Sequence, residues 1–173
     1  MIVLVIHKSK TYKDMIVVES KRELKRLINQ RIEERGLKCN LNDINVSKIT
    51  DMSGLFRDSD FDGNISKWDV SNVRDMSYMF HGSRFNGNIS KWNVSNVRDM
   101  GFMFEGSYFN GNISKWNVSS VESMDYMFTC SKFDGDISKW NVSNVRNVFW
   151  MFAYSPLEGK EPEWYHLAKH YKG

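Results

Sequence analysis

The chain has 173 residues, a mass of 20.3 kDa and a formal net charge of +3, with 41% hydrophobic and 14% aromatic residues. That length points to one domain, and the apolar content excludes general disorder. The weak charge argues against nucleic acid as the main partner, no apolar run approaches a membrane span, and two distant cysteines, Cys39 and Cys130, give neither a disulfide framework nor a metal spacing.

Residues 1–40 read as an N-terminal cap. The β-branched run Ile2–Ile6 predicts a strand and Met15–Val18 a second, together a β-hairpin. The first run is too short for a signal-peptide core and is followed at once by His7, Lys8 and Lys10. Ser20 with Glu23 three residues on forms a capping-box pattern, Gly36 is placed to end the helix, and Leu24, Leu27, Ile28 and Ile32 make its apolar stripe.

Residues 41–155 are a repeat array. Trp68, Trp92, Trp116 and Trp140 recur every 24 residues, within units that begin at Phe61, Phe85, Phe109 and Phe133. A degenerate earlier copy runs through Ile44, Val46, Ile49, Met52, Leu55 and Phe56, making about five coils. In each coil the alternation around Trp92 and Val94 predicts a short strand, and Val97, Met100, Met103 and Phe104 predict a short helix or 3₁₀ segment facing the same interior. Such units depend on their neighbours for burial, so the coils must stack. Periodicity stops at Ser155. Residues 156–173 then read as a C-terminal helical cap, with Pro162 at its first turn and Trp164, Leu167, Ala168 and Tyr171 on one face.

The unit F-N-G-N-I-S-K-W-N-V-S-N-V-R-D-M-x-x-M-F at Phe85–Phe104 resembles the BspA-type bacterial leucine-rich repeats of surface proteins and mycoplasma-type lipoproteins. The likeness covers residues 41–155, and the entry segment from Leu41 to Phe56 looks like the usual lead-in to such arrays. It implies an α/β leucine-rich-repeat solenoid that binds proteins or host surfaces and has no activity of its own.

Because the coils are in register, each repeated position becomes a line on the surface. Lys67, Lys91, Lys115 and Lys139 form one, beside Asp69, Asn93, Asn117 and Asn141. It reads either as a recognition surface for an acidic or polar partner, or as a solvated face whose Asn and Asp side chains bridge coils. Tyr78, Phe102, Tyr126 and Trp150 form another, with Arg74, Arg98, Glu122 and Arg146 four residues earlier. On a helical wheel this line points away from the interior and combines the residue types that dominate interfaces; packing of aromatics between coils is the other reading. The variable line Asp60, Arg84, Tyr108, Lys132 fits a binding surface on a fixed frame, and fits drift equally well.

Asp58, Asp60, Asp62 and Gly63 match the start of a calcium loop with Asp69 at its twelfth position, although part of that match is the repeat template itself. His166 and His170 near Glu163 have a ligand spacing that a polar helix face also explains. No phosphate loop or nucleophile with a partner is present, and the four histidines lie outside the repeated lines. The expectation is therefore a non-enzymatic protein-binding module with no cofactor or metal, in the cytoplasm, mobile-element encoded in its narrowest form, and compatible with a homo-oligomer. The candidate partner-binding residues are Arg74, Tyr78, Arg98, Phe102, Tyr126, Arg146 and Trp150, with Lys67, Lys91, Lys115 and Lys139. Two alternatives stand beside it: a surface or adhesion protein, if an export element has been removed, and a nucleic-acid or phosphate binder using the lysine line.

Overall fold

The computed structural model describes residues 15–170, with the backbone alone at 169 and 170. The expected strand Ile2–Ile6 lies outside the described residues. Strand β1 (Ile16–Val17) pairs in parallel with β2 (Ile44–Asn45), Ile16 opposite Ile44. The described part of the expected hairpin is thus an edge joined to the first coil, with Ile16 Nα–H donating to the Asp43 carbonyl at 2.9 Å and Val18 Nα–H to that of Asn45 at 3.2 Å.

Helix α1 (Lys21–Arg35) begins at Ser20, whose hydroxyl accepts from the Glu23 amide, and the Glu23 carboxylate accepts in turn from the Glu19 amide. These contacts satisfy two donors near a helix start. Gly36 ends the helix at φ 81. Leu24, Leu27 and Ile28 are buried, continuous with Val18, Leu41 and the first coil. Arg31 and Arg35 meet the Asp43 carboxylate at 3.6 and 3.4 Å, fixing the helix end to the segment that enters the coils.

From there the chain winds in 24-residue units, each lying on the one before. Parallel bridges run Asp51 to Asp75, Asp75 to Asp99, Asp99 to Ser123 and Ser123 to Asn147. The interior holds three files of aromatic rings among buried Ile, Val and Met. Phe56, Phe80, Phe104, Phe128 and Phe152 stack at 5.6–6.0 Å between centroids. Phe61, Phe85, Phe109 and Phe133 follow at 6.2–6.4 Å. Trp68 and Trp92 are 6.5 Å apart, and Trp92, Trp116 and Trp140 each donate the indole N–H to the carbonyl of Ile65, Ile89 and Ile113 in the coil before, at 3.2 Å. Each buried indole thereby keeps its only donor paired.

The local structure of a coil differs from the expected strand plus helix. Apart from Asn40 to Asn64 at the entry, the isolated bridges fall at Asp75 and its equivalents, beyond the Trp68-x-Val70 segment that alternation marks as a strand. In place of a helix over Val73–Phe80, every second amide reaches the next coil: Met76, Tyr78, Phe80 and Gly82 donate to the carbonyls of Asp99, Gly101, Met103 and Glu105 at 2.7–3.0 Å. The amides of Met79, His81 and Ser83, each next in the chain after one of these, close tight turns three residues back. Tyr78 at φ 57 and Gly82 at φ 61 are left-handed, and that conformation interrupts any right-handed helix. The apolar spacing of three and four residues is thus realised by successive turns.

The last coil is followed by Leu157, buried where earlier coils have Phe133, and by helix α2 (Glu163–His170). Trp164 stacks on Trp140 at 6.4 Å and Tyr165 sits edge-on to Phe152 at 4.9 Å, so the helix closes part of the final coil.

Candidate binding face

The aromatic line does not lie on a helix. Tyr78, Phe102, Tyr126 and Trp150 all have φ between 52 and 59, and the first coil has Gly54 at this position with φ 59. A second left-handed line, Asp58, Gly82, Gly106, Cys130 and Tyr154, follows four residues on. Non-glycine residues, aromatic ones above all, are disfavoured in this backbone by about 1–3 kcal/mol each.

The side chains answer that cost unequally. Tyr78 and Phe102 stack at 4.5 Å with planes 6° apart, and Phe102 and Tyr126 at 4.7 Å and 9°. Three half-buried rings thus form a ribbon across the coils. The ribbon stops there, because Tyr126 meets Phe149 edge-on at 5.8 Å, and Phe149 meets Trp150 edge-on at 5.9 Å. Phe149 is 62% exposed and Trp150 49%.

The arginines expected beside these rings are placed differently. Without a helix, residues four apart do not face one another. Arg74, Arg98 and Arg146 are exposed. Arg98 pairs with Glu122 of the next coil at 2.8 Å, and Arg146 lines a cavity with Trp150. The guanidinium on the Tyr78 ring is that of Arg57, 5.2 Å from the centroid. Arg57 belongs to the degenerate first coil, where the template gives no warning of it. Arg84 lies over Tyr108 at 5.8 Å, joining two members of the variable line.

Lys67, Lys91, Lys115 and Lys139 are exposed, and none forms an ion pair among the described residues. The neighbouring Asp69, Asn93, Asn117 and Asn141 do not bridge coils. Each accepts from the amide of the serine two residues on, at 3.1–3.2 Å, closing its own turn. Coils are instead joined by Asn72, Asn96 and Asn144, whose Nδ2 atoms donate to the carbonyls of Ser47, Ser71 and Ser119 at 2.7 Å.

Asp58, Asp60 and Asp62 turn to different partners: His81 Nδ1 at 3.4 Å, Arg84 Nε at 2.8 Å and the Asn86 amide at 2.9 Å. They do not form a calcium loop, and among the described residues no three ligating side chains converge. His166 Nε2 is 4.0 Å from Glu161; the side chain of His170 is outside the described residues.

Site positions that the sequence reading missed lie at the C-terminal end. Phe149 replaces the Ser77, Gly101 and Asp125 of earlier coils, a break in register that was visible in the sequence. It lines a 540 Å³ cavity between the last coil and α2, with Asp125, Trp150, Glu158, Glu161 and Tyr165. Burial pushes the Tyr165 phenol above its ordinary value, and the Glu161 carboxylate adds to the shift.

Residues 25–108 and 105–164 match the family described as Mycoplasma protein of unknown function, DUF285. The chain belongs to this family. DUF285 falls within the BspA-like surface-protein repeats, in agreement with the coarser part of the resemblance. No curated protein and no solved structure matches this DUF285 chain.

Proposed function

We propose that the chain is an α/β leucine-rich-repeat solenoid acting as a non-enzymatic protein-binding module, with the aromatic line as its contact face. One observation carries this reading. Trp150 holds an unfavourable left-handed backbone, is 49% exposed, and has neither the parallel ring stacking that supports Phe102 nor the glycine of the first coil. Strain that the fold does not offset points to a role outside it. Tyr and Trp beside Arg146 at this end, and Arg57 over Tyr78 at the other, are the residue types that supply most interface energy. A frame stitched from coil to coil also lowers the ordering cost of binding.

Affinity capture from source-cell lysate tests the face. The wild type should retain a protein that is lost when Tyr78, Phe102, Tyr126 and Trp150 are changed to Ala with folding preserved. Equal capture by both would move the site elsewhere.

A second reading, a surface or adhesion role, is favoured by membership of a BspA-like surface-repeat family. Protease treatment of intact cells followed by immunodetection separates the two locations: loss of the signal places the chain outside, survival places it inside.

A further inference from the structure

Met124, Tyr126 and Phe128 donate their amides to Asn147, Phe149 and Met151 of the next coil at 2.8–2.9 Å. One coil later the same row is Val148, Trp150 and Phe152, and among the described residues no carbonyl accepts from these three amides. Helix α2 covers the neighbouring part of the coil, through Trp164 on Trp140, and Glu158 accepts from the Tyr154 amide at 2.9 Å. Between these covers, the 540 Å³ cavity has Val148, Trp150 and Phe152 along one wall and Tyr165, His166 and Ala168 in another.

We propose that this end groove binds a short backbone segment of a partner protein, one that carries an apolar side chain next to a lysine or arginine. The inference rests on the binding-module reading and gives it a partner chemistry. In the coil before, the same row gives its amides to the carbonyls of Asn147, Phe149 and Met151, so the Val148, Trp150 and Phe152 amides offer three alternate donors to the backbone of a bound segment that takes a coil's turned conformation. The apolar side chain meets Phe149 and Trp150, both large and open to solvent at this end. Phe149 replaces the small or polar residues of earlier coils, so the apolar wall is special to the groove. The cation answers an excess of carboxylates, since Asp125, Glu158 and Glu161 line the cavity against Arg146 and His166.

The probe is a displayed library of random short peptides panned on the full chain, with affinities of enriched peptides read by fluorescence anisotropy. Enrichment of an apolar or aromatic residue adjacent to Lys or Arg is expected. Binding should weaken at least roughly tenfold in Phe149→Ser, which restores the residue found at Ser77, and in the double variant Glu158→Gln, Glu161→Gln. The double variant keeps an oxygen acceptor for the Tyr154 amide, so it decides the matter if Phe149→Ser fails to fold. No enrichment, enrichment of acidic peptides, or affinity retained in the double variant would overturn the groove. Peptides lost only in Tyr78→Ala, Phe102→Ala would overturn it too, while leaving the binding module standing.

Discussion

The indoles of Trp140 and Trp164 stack with centroids 6.4 Å apart and planes 18° from parallel, and Trp164 Nε1–H donates to the Ile137 carbonyl at 3.0 Å. Trp140 makes the same bond to Ile113 at 3.2 Å, also 27 residues back. The closing helix is therefore fastened by a rung of the core ladder. Trp164→Ala should lower stability by about 2–4 kcal/mol, since a large ring leaves the end of the core. Trp164→Phe keeps the ring and loses the hydrogen bond, at about 1 kcal/mol. Denaturant unfolding of both checks this order; equal effects would mean that the indole N–H carries the contact and the ring does not.

At the opposite end, Lys25 Nζ donates to the Leu55 carbonyl. In later coils the matching carbonyl, that of Met79, accepts from Phe56 of the preceding coil at 2.9 Å. Among the described residues no coil precedes that of Leu55, and the lysine takes that place. Lys25→Met keeps the aliphatic stem and leaves the carbonyl without its donor, so a loss of about 1–2 kcal/mol is expected. Arg22 is exposed on the same helix and serves as the control: Arg22→Met should change stability by less than about 0.5 kcal/mol. Thermal or denaturant unfolding of the two variants checks the difference, and equal effects would remove the lysine from the cap.

Asp51, Asp75 and Asp99 stand in one file of bridges. Burial raises the Asp99 carboxyl above its ordinary value, with the Asp75 and Asp125 carboxylates adding and the Gly101 amide, which donates at 2.8 Å, opposing. A folded value above the unfolded one means that the folded state binds the proton more readily. The resulting stabilisation is complete below the unfolded value of about 3.9 and is lost as pH rises through the raised folded value. Asp99→Asn removes the charge and keeps an acceptor for Gly101, and Asn147 already occupies this file in the last coil. Its unfolding midpoint should exceed that of the wild type at neutral pH and converge with it at about pH 3, below that unfolded value. A variant no more stable at neutral pH would show that the carboxylate is not destabilising there.

The inward residues were legible in the sequence because burial selects them: each Phe, Trp, Ile and Val of the 24-residue template is buried in the middle coils. The turn geometry was not, since the two left-handed lines of the coils carry the expected glycine at Gly54, Gly82 and Gly106, and elsewhere aromatic side chains, Asp58 or Cys130. Met76, Met79 and Phe80 have helical spacing, and only the paths of the amides distinguish successive turns from a helix. The C-terminal rung was written in the chain, as Leu157-Glu-Gly-Lys-Glu-Pro-Glu-Trp164 aligns with Phe133-Asp-Gly-Asp-Ile-Ser-Lys-Trp140. Leu for Phe and Glu161 for Ile137 hid it, and helix α2 follows where the earlier coils continue.

Phe102 and Trp150 share one backbone conformation, at φ 59 and 52, and differ in what supports it. Glycine at either position should relieve about 1 kcal/mol or more of left-handed strain. At Phe102 that gain is outweighed, because the ring stacks on Tyr78 and Tyr126 on its two sides, each stack being worth about 0.5–1.5 kcal/mol beyond the apolar area it buries. At Trp150 the only aromatic contact among the described residues is edge-on to the exposed Phe149. Phe102→Gly should therefore destabilise the protein by about 2 kcal/mol, whereas Trp150→Gly should leave the melting temperature unchanged or raise it while weakening partner capture. If Trp150→Gly instead destabilised the chain as much as Phe102→Gly, the ring would belong to the fold, and the argument from uncompensated strain to binding would fail.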